Sequence, residues 1–188
     1  METESEAWKA WNVETMIVPG LLQTSAYTDA VVNSAWPRPS QETVEQRRKL
    51  RQRRQARLLD ETNRLELHAI MHESALIQEI GDDESVMAEQ LDHIVEMSEQ
   101  SNIVVQLIPI SRGAYASFGR SYNLLGFDRD DPDAIAVYEE TLSTGIYIEA
   151  DTDTSKYTLH FQRLSTHEAL DPQASIQRIA TLRARLAS

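Results

Sequence analysis

The residues best equipped for chemistry are three glutamates, Glu73, Glu139 and Glu140, and the arginines that could neutralise them. All three stand at the ends of segments that read as β-strands. If those strands are neighbours, Glu73 and Glu139 come together, and a carboxylate turned inward needs a donor or a cation. Arg51 or Arg54, from a basic stretch upstream, could supply it. Two readings follow. One is an ion-pair network that fastens a helix to a sheet. The other is an acidic pocket for a cationic or hydroxyl-bearing ligand. Paired carboxylates also hydrolyse glycosides, but that chemistry depends on their separation, which the sequence does not set.

A second candidate is the loop from Ser111 to Arg120, which offers Arg112, Tyr115 and Arg120 among small residues. It follows a segment that reads as a central strand, and loops at strand ends are common ligand sites in α/β sheets. A mobile surface loop is the alternative. His68 and His72 share one face of a strand but stand roughly 13 Å apart at strand rise, too far to hold one metal ion. His72-Glu73 begins like a zincin motif, yet Leu76 occupies the place of the second histidine. No G-x-S-x-G, G-x-x-x-x-G-K-[ST] or G-x-G-x-x-G occurs, and the chain has only six glycines. No catalytic residue, metal or cofactor is assigned.

These side chains need elements to position them. The spacing of Trp8 and Trp11 predicts a short helix over Glu2–Asn12, with both tryptophans on one face and acids at its start. Pro19 pushes Val18 towards extended backbone, and Gly20 admits a turn, so this corner should feed a helix capped by Thr24 or Ser25. Trp36-Pro37-Arg38-Pro39 forms a stiff connector, and Ser40 caps a basic helix running to about Asp60. From Leu65 to His72 the period changes to two, as in a half-buried strand. A helix carrying Met87, Leu91, Ile94 and Val95 follows Gly81-Asp82-Asp83, and Ile103–Ile108 reads as a buried strand ended by Pro109. This strand–helix–strand unit predicts parallel neighbours. Strands near Tyr122–Phe127, Ile135–Glu139 and Gly145–Glu149 are joined too closely for helices and should be antiparallel. Two helices close the chain, the second capped by Asp171 with Pro172 in its first turn. The expected fold is mixed α/β: a central, partly parallel sheet of about five strands flanked by helices, with a helical N-terminal segment. Residues 1–62 form that segment and residues 63–188 the sheet core, together one folded unit.

Charge is distributed unevenly. The net charge is −12, yet seven of the 18 basic residues lie between Arg47 and Arg57 with no acid among them. The rest of the chain carries 11 basic against 30 acidic residues and should repel phosphate backbones. The basic stripe is a surface helix neutralised by nearby carboxylates, a docking face for an acidic partner, or a strip lying beside DNA. There is no cysteine, hence no disulfide or thiolate metal site, and no run approaches a membrane span. A cytoplasmic location is expected.

Val18-Pro19-Gly20-Leu21-Leu22-Gln23-Thr24, continuing to Tyr27, resembles the hallmark of a domain found after the XRE-type helix-turn-helix in many actinobacterial transcription regulators. Further motifs follow in the family's order: Arg51–Leu58 as its basic helix, His72-Glu73-Ser74-Ala75-Leu76 as its E-x-A-L element, and Gln90-Leu91 with Ile94 as the next helix. Asn102–Ile110 resembles its N-V-x-V-Q-V-L-P strand, Ser121–Phe127 and Val137-Tyr138-Glu139 its later strands, and Ala169-Leu170 with Ser175 its closing segment. The family often has a histidine in the loop after the Leu-Pro strand. This chain has Tyr115 there, so no imidazole is available at that point.

The resemblance implies a regulatory role: the effector- or partner-binding and oligomerising domain of a helix-turn-helix regulator, with the DNA-binding part absent from this chain. Trimming of a longer protein is the expected reason, a stand-alone gene that kept only this half is the alternative, and DNA would be met only through the absent part. Expected partners are a second copy of the chain, a small companion protein and an unidentified small-molecule effector. Candidate ligand residues are Arg54, Glu73, Arg112, Tyr115, Arg120 and Glu139. Candidate interface residues are Trp8, Trp11, Leu21, Leu22, Arg47 and Arg51. A small enzyme acting on a nucleotide- or sugar-like substrate and a protein-interaction scaffold are the alternatives.

Overall fold

Six strands, some alternating and some almost wholly apolar, form one sheet: β1 (Lys9–Glu14), β2 (Glu66–His72), β3 (Ile103–Ile108), β4 (Tyr122–Gly126), β5 (Ile135–Glu140) and β6 (Gly145–Ile148). The computed structural model describes residues 6–81, 83–131, 133–141 and 144–186. The strand order is β3-β2-β1-β4-β5-β6. β1, β2 and β3 run parallel, while β4, β5 and β6 are antiparallel to their neighbours. The mixed α/β class, the parallel β2–β3 pair and the two hairpins match the sequence expectation.

One element differs. Lys9–Glu14 is a strand, not part of a helix, and it lies at the middle of the sheet between β2 and β4. Trp8 and Trp11 are three apart by coincidence of spacing. Sheet partners on both sides outweigh a helical pattern of two tryptophans, because strand preference follows packing and pairing more than local composition. Glu2 and Glu4, the expected start of that helix, lie outside the described residues.

The helices are α1 (Ser25–Asn33), α2 (Gln41–Ala56), α3 (Ser74–Ile77), α4 (Glu84–Met97), α5 (Asp151–Arg163) and α6 (Pro172–Arg185). The expected caps hold. Thr24 accepts from the Tyr27 amide, Ser40 from Thr43 and Asp171 from Ala174. The period of two divides the sheet into two faces. One presents Ala10, Leu67, Ala69, Met71, Val105, Leu107 and Leu125 to Tyr27, Leu91, Ile94, Ile179 and Leu182 of the helices. The other presents Val13, Ile70, Ile108, Leu124 and Val137 to Phe161 of α5 and Leu164 just beyond it.

The Val18–Thr24 corner forms a single 3-10 turn over Gly20–Leu22, with Leu22 completely buried. Gln90 of α4, itself inaccessible, locks that corner. Its Oε1 accepts from the Thr24 amide at 2.8 Å and its Nε2 donates to the Leu22 carbonyl at 2.7 Å. Two unpaired backbone groups are thereby satisfied by one side chain.

Candidate functional site

Strand β1 ends in Asn12-Val13-Glu14, and the two polar residues of that triplet face the helix-covered side that also carries Ala10. Register places Asn12 opposite Asn123 of β4, Asn123 opposite Tyr138 of β5, and Tyr138 opposite Tyr147 of β6. A polar and aromatic row therefore crosses four strands on one face. The next row towards the end of β1 holds Glu14, Ser121 and Glu140, since residues two apart on a strand share a face.

Contacts bind these rows together. The Asn12 amide Nδ2 donates to Asn123 Oδ1. Asn12 is only 5% exposed, and its own Oδ1 is buried without a partner. Beside it, burial pushes the Glu14 carboxyl up to about 7, with Glu140 adding to the rise; hydrogen bonds from Ser121 and Asn12 and the charge of Arg51 pull the other way. Ser121 Oγ also receives the Thr15 amide at 3.2 Å. The Tyr138 and Tyr147 rings lie 4.9 Å apart at 45°. Gly145 is required beneath them, because a Cβ there would stand 2.3 Å from the Tyr138 ring.

The rows connect to the N-terminal corner through Arg51 of α2. Its guanidinium donates to Gln23 Oε1 and, at 3.2 Å, to Thr28 Oγ1. Gln55, one turn on, donates to the carbonyls of Gly20 at 3.2 Å and Gln23 at 2.6 Å. Tyr27, fully buried, accepts the Val18 amide at 3.1 Å. Burial raises its phenol above the ordinary range, Glu14 adds to this, and Arg51 opposes it. The corner, the basic helix and the Glu14 carboxyl thus form one electrostatic unit.

The six sequence-predicted ligand residues do not form one constellation. Glu73 directly follows β2 and Glu139 lies on β5, with β1 and β4 between those strands. The cation of Glu73 is Arg178 of α6, rather than Arg51 or Arg54, and its other oxygen accepts the Ile110 amide at 2.9 Å. Burial acts to raise the Glu73 carboxyl, but the Ile110 amide and Arg178 outweigh it and hold it below the usual range. Glu139 faces the opposite side of the sheet, where Tyr157 of α5 donates to it at 2.6 Å. That bond, with burial, pushes the Tyr157 phenol up to about 12. Arg54 lies half-buried on α2.

The Ser111–Arg120 loop is tied down by its surroundings. Glu168, beyond α5, accepts the Ala116 amide at 2.8 Å and pairs with Arg163 at 2.9 Å. Tyr115 stacks on His72 with centroids 5.2 Å apart and an interplanar angle of 12°. Arg112 and Arg120 are exposed. His68 donates towards Gln106 Oε1 at 2.7 Å, and burial lowers its basicity.

Of the candidate interface residues, Leu21 and Leu22 lie in the core. Trp8 and Trp11 are half-buried and meet edge to face at 6.5 Å, with Arg129 over the Trp8 ring at 4.6 Å. Arg47 is exposed and Arg51 points into the corner. The basic helix is partly neutralised by carboxylates, as Arg48 pairs with Asp29 at 3.5 Å and with Glu45.

Sequence reading overlooked Asn12, Glu14, Ser121 and Asn123. Their signal was present as polar residues two apart in Asn12–Glu14 and Ser121–Asn123, but a helix expected to run as far as Asn12 hid the first. Comparisons with curated proteins and with solved structures returned no match. The model of the family described as "Domain of unknown function (DUF5753)" matches residues 1–181, so this chain belongs to that family, whose domain follows the XRE-type helix-turn-helix in transcription regulators.

Proposed function

We propose that the domain binds an effector and self-associates on behalf of a cytoplasmic helix-turn-helix transcription regulator, sensing rather than transforming its ligand. The observation that carries this reading is the polar strip around Glu14. It contains a half-buried carboxyl, an unpaired buried amide oxygen and two tyrosine rings, and it is coupled through Arg51 to the N-terminal corner. Core positions in a sheet are normally apolar, and buried polar groups persist where they are satisfied or serve binding.

The route from ligand to output is short. A ligand on Glu14 changes the charge facing Arg51, and Arg51 grips Gln23 and Thr28 at the start of α1. A shift there reorients α1 and α2 only if the ligand binds two arrangements of the corner with different affinity. The rival reading, an enzyme at the Ser111–Arg120 loop, has less support, because Glu73 and Glu168 are occupied by backbone amides and arginines.

The test is a thermal-shift screen of a metabolite collection against the purified chain and Glu14→Gln, with light scattering of each hit. Ligands that raise Tm in the parent chain, fail in the variant and change the mass in solution are expected. Turnover of a metabolite by the parent chain would overturn the reading.

A further inference from the structure

We propose that the strip formed by Asn12, Glu14, Ser121, Asn123, Tyr138 and Glu140 is a site for a primary ammonium group carried on a small apolar or aromatic body. This rests on the effector-binding reading and specifies its ligand class. The unfilled capacity of the strip is on the acceptor side. Asn12 Oδ1 is buried and unpaired, and the Asn12 amide is already committed to Asn123. Ser121 and Asn12 give the Glu14 carboxyl only partial support against its burial, which leaves lone pairs of its carboxylate open. Glu140 brings a second negative charge to the same row.

A ligand must therefore donate hydrogen bonds and bring positive charge. An ammonium group does both, with three donors and no acceptor. Arg51 faces Glu14 but is engaged by Gln23 and Thr28. Tyr138 and Tyr147, beside the carboxylates on the same face, pack against the core and each other but are only half-buried, so their remaining ring surface can meet the body of an organic cation. Ser121 and Glu140 are exposed and Glu14 is half-buried, so the row opens to solvent at this end.

The groups facing Glu14 set the pH behaviour. They are Glu140 on β5, Arg51 on α2 and Tyr27 on α1. Binding of a cation requires Glu14 ionised, so affinity should rise about ten-fold from pH 6 to pH 8, following the ionised fraction of a group with a pKa of about 7.

The probes are benzylamine, benzyl alcohol, benzoate and Nα-acetyl-lysine methylamide, titrated into the 15N-labelled chain while the side-chain amides of Asn12 and Asn123 are followed. Benzylamine should shift both amides saturably, more tightly at pH 8, and about ten-fold more weakly with Glu14→Gln. Tyr138→Leu should weaken binding too, which provides a second variant should the first fold poorly. Tighter saturation by benzylamine assigns a free amine, and tighter saturation by the lysine derivative assigns a side chain presented by a protein; either supports the ammonium site. Equal or tighter binding of the alcohol or benzoate would overturn the proposal while leaving an effector site standing. No response to any probe overturns it as well, and the metabolite screen then decides the broader reading separately.

Discussion

At the level of single residues, the half-buried carboxyl of Glu14 and the buried one of Glu73, both near strand ends, behave in opposite ways. Glu14 is desolvated with too few donors, so its carboxyl rises to about 7, whereas Glu73 has an amide and an arginine and is held low. A raised folded pKa means that the native state holds the extra proton between pH 4.5 and about 7, so stability falls as pH rises through that window. Glu14→Gln should therefore leave stability nearly unchanged at pH 5 and raise it at pH 8 by about 2 kcal/mol, after discounting for residual solvent contact. Urea melts at the two pH values measure this, and an equal effect at both would contradict it. For Glu73 the sign reverses. Its stabilisation is present above the unfolded pKa and is lost as pH falls through the lowered folded value. Arg178→Ala should cost about 2 kcal/mol at pH 7 and less at pH 3, which thermal melts across that range would show.

Among the elements, the corner after β1 is the part whose behaviour most needs its neighbours. Its own residues supply a 3-10 turn, but Gln90, 66 positions from Thr24, holds the turn against α4. Gln90→Leu keeps volume while leaving the Thr24 amide and the Leu22 carbonyl unpaired, and should cost about 2 kcal/mol. Hydrogen exchange at Thr24 should accelerate accordingly, and unchanged protection would show that another group takes over. The elements themselves were largely legible beforehand. The caps Thr24, Ser40 and Asp171, the two hairpins and the β2–α4–β3 unit follow from local chemistry and period. β1 was not legible, because Lys9–Glu14 is short and the spacing from Trp8, just before it, to Trp11 within it mimics a helix. The candidate site was hidden with it, since Asn12 and Glu14 acquire partners only when β4 lies alongside.

For the molecule as a whole, a body rich in acids carries one basic helix, and large apolar groups stand open on that helix and on the segments that flank it. Trp36 is 92% exposed, Leu59 55% and Leu50 39%. If the proposed self-association uses these groups, Trp36→Ser with Leu59→Ser should move the sedimentation coefficient towards the monomer. A parent chain that already sediments as a monomer at high concentration would remove this part of the reading. Among the described residues, no helix is long and apolar enough to cross a membrane.

The amino-acid order alone determined the class of fold, the order of motifs that marks the family, and the capped starts of α1, α2 and α6, because caps, turn residues and periodicity act over a few positions. Only the tertiary structure decided which carboxylates meet which cations and where β1 lies. Those pairings join residues far apart in sequence, 111 positions in the case of Asn12 and Asn123, and depend on strand order and register, for which local chemistry carries little signal.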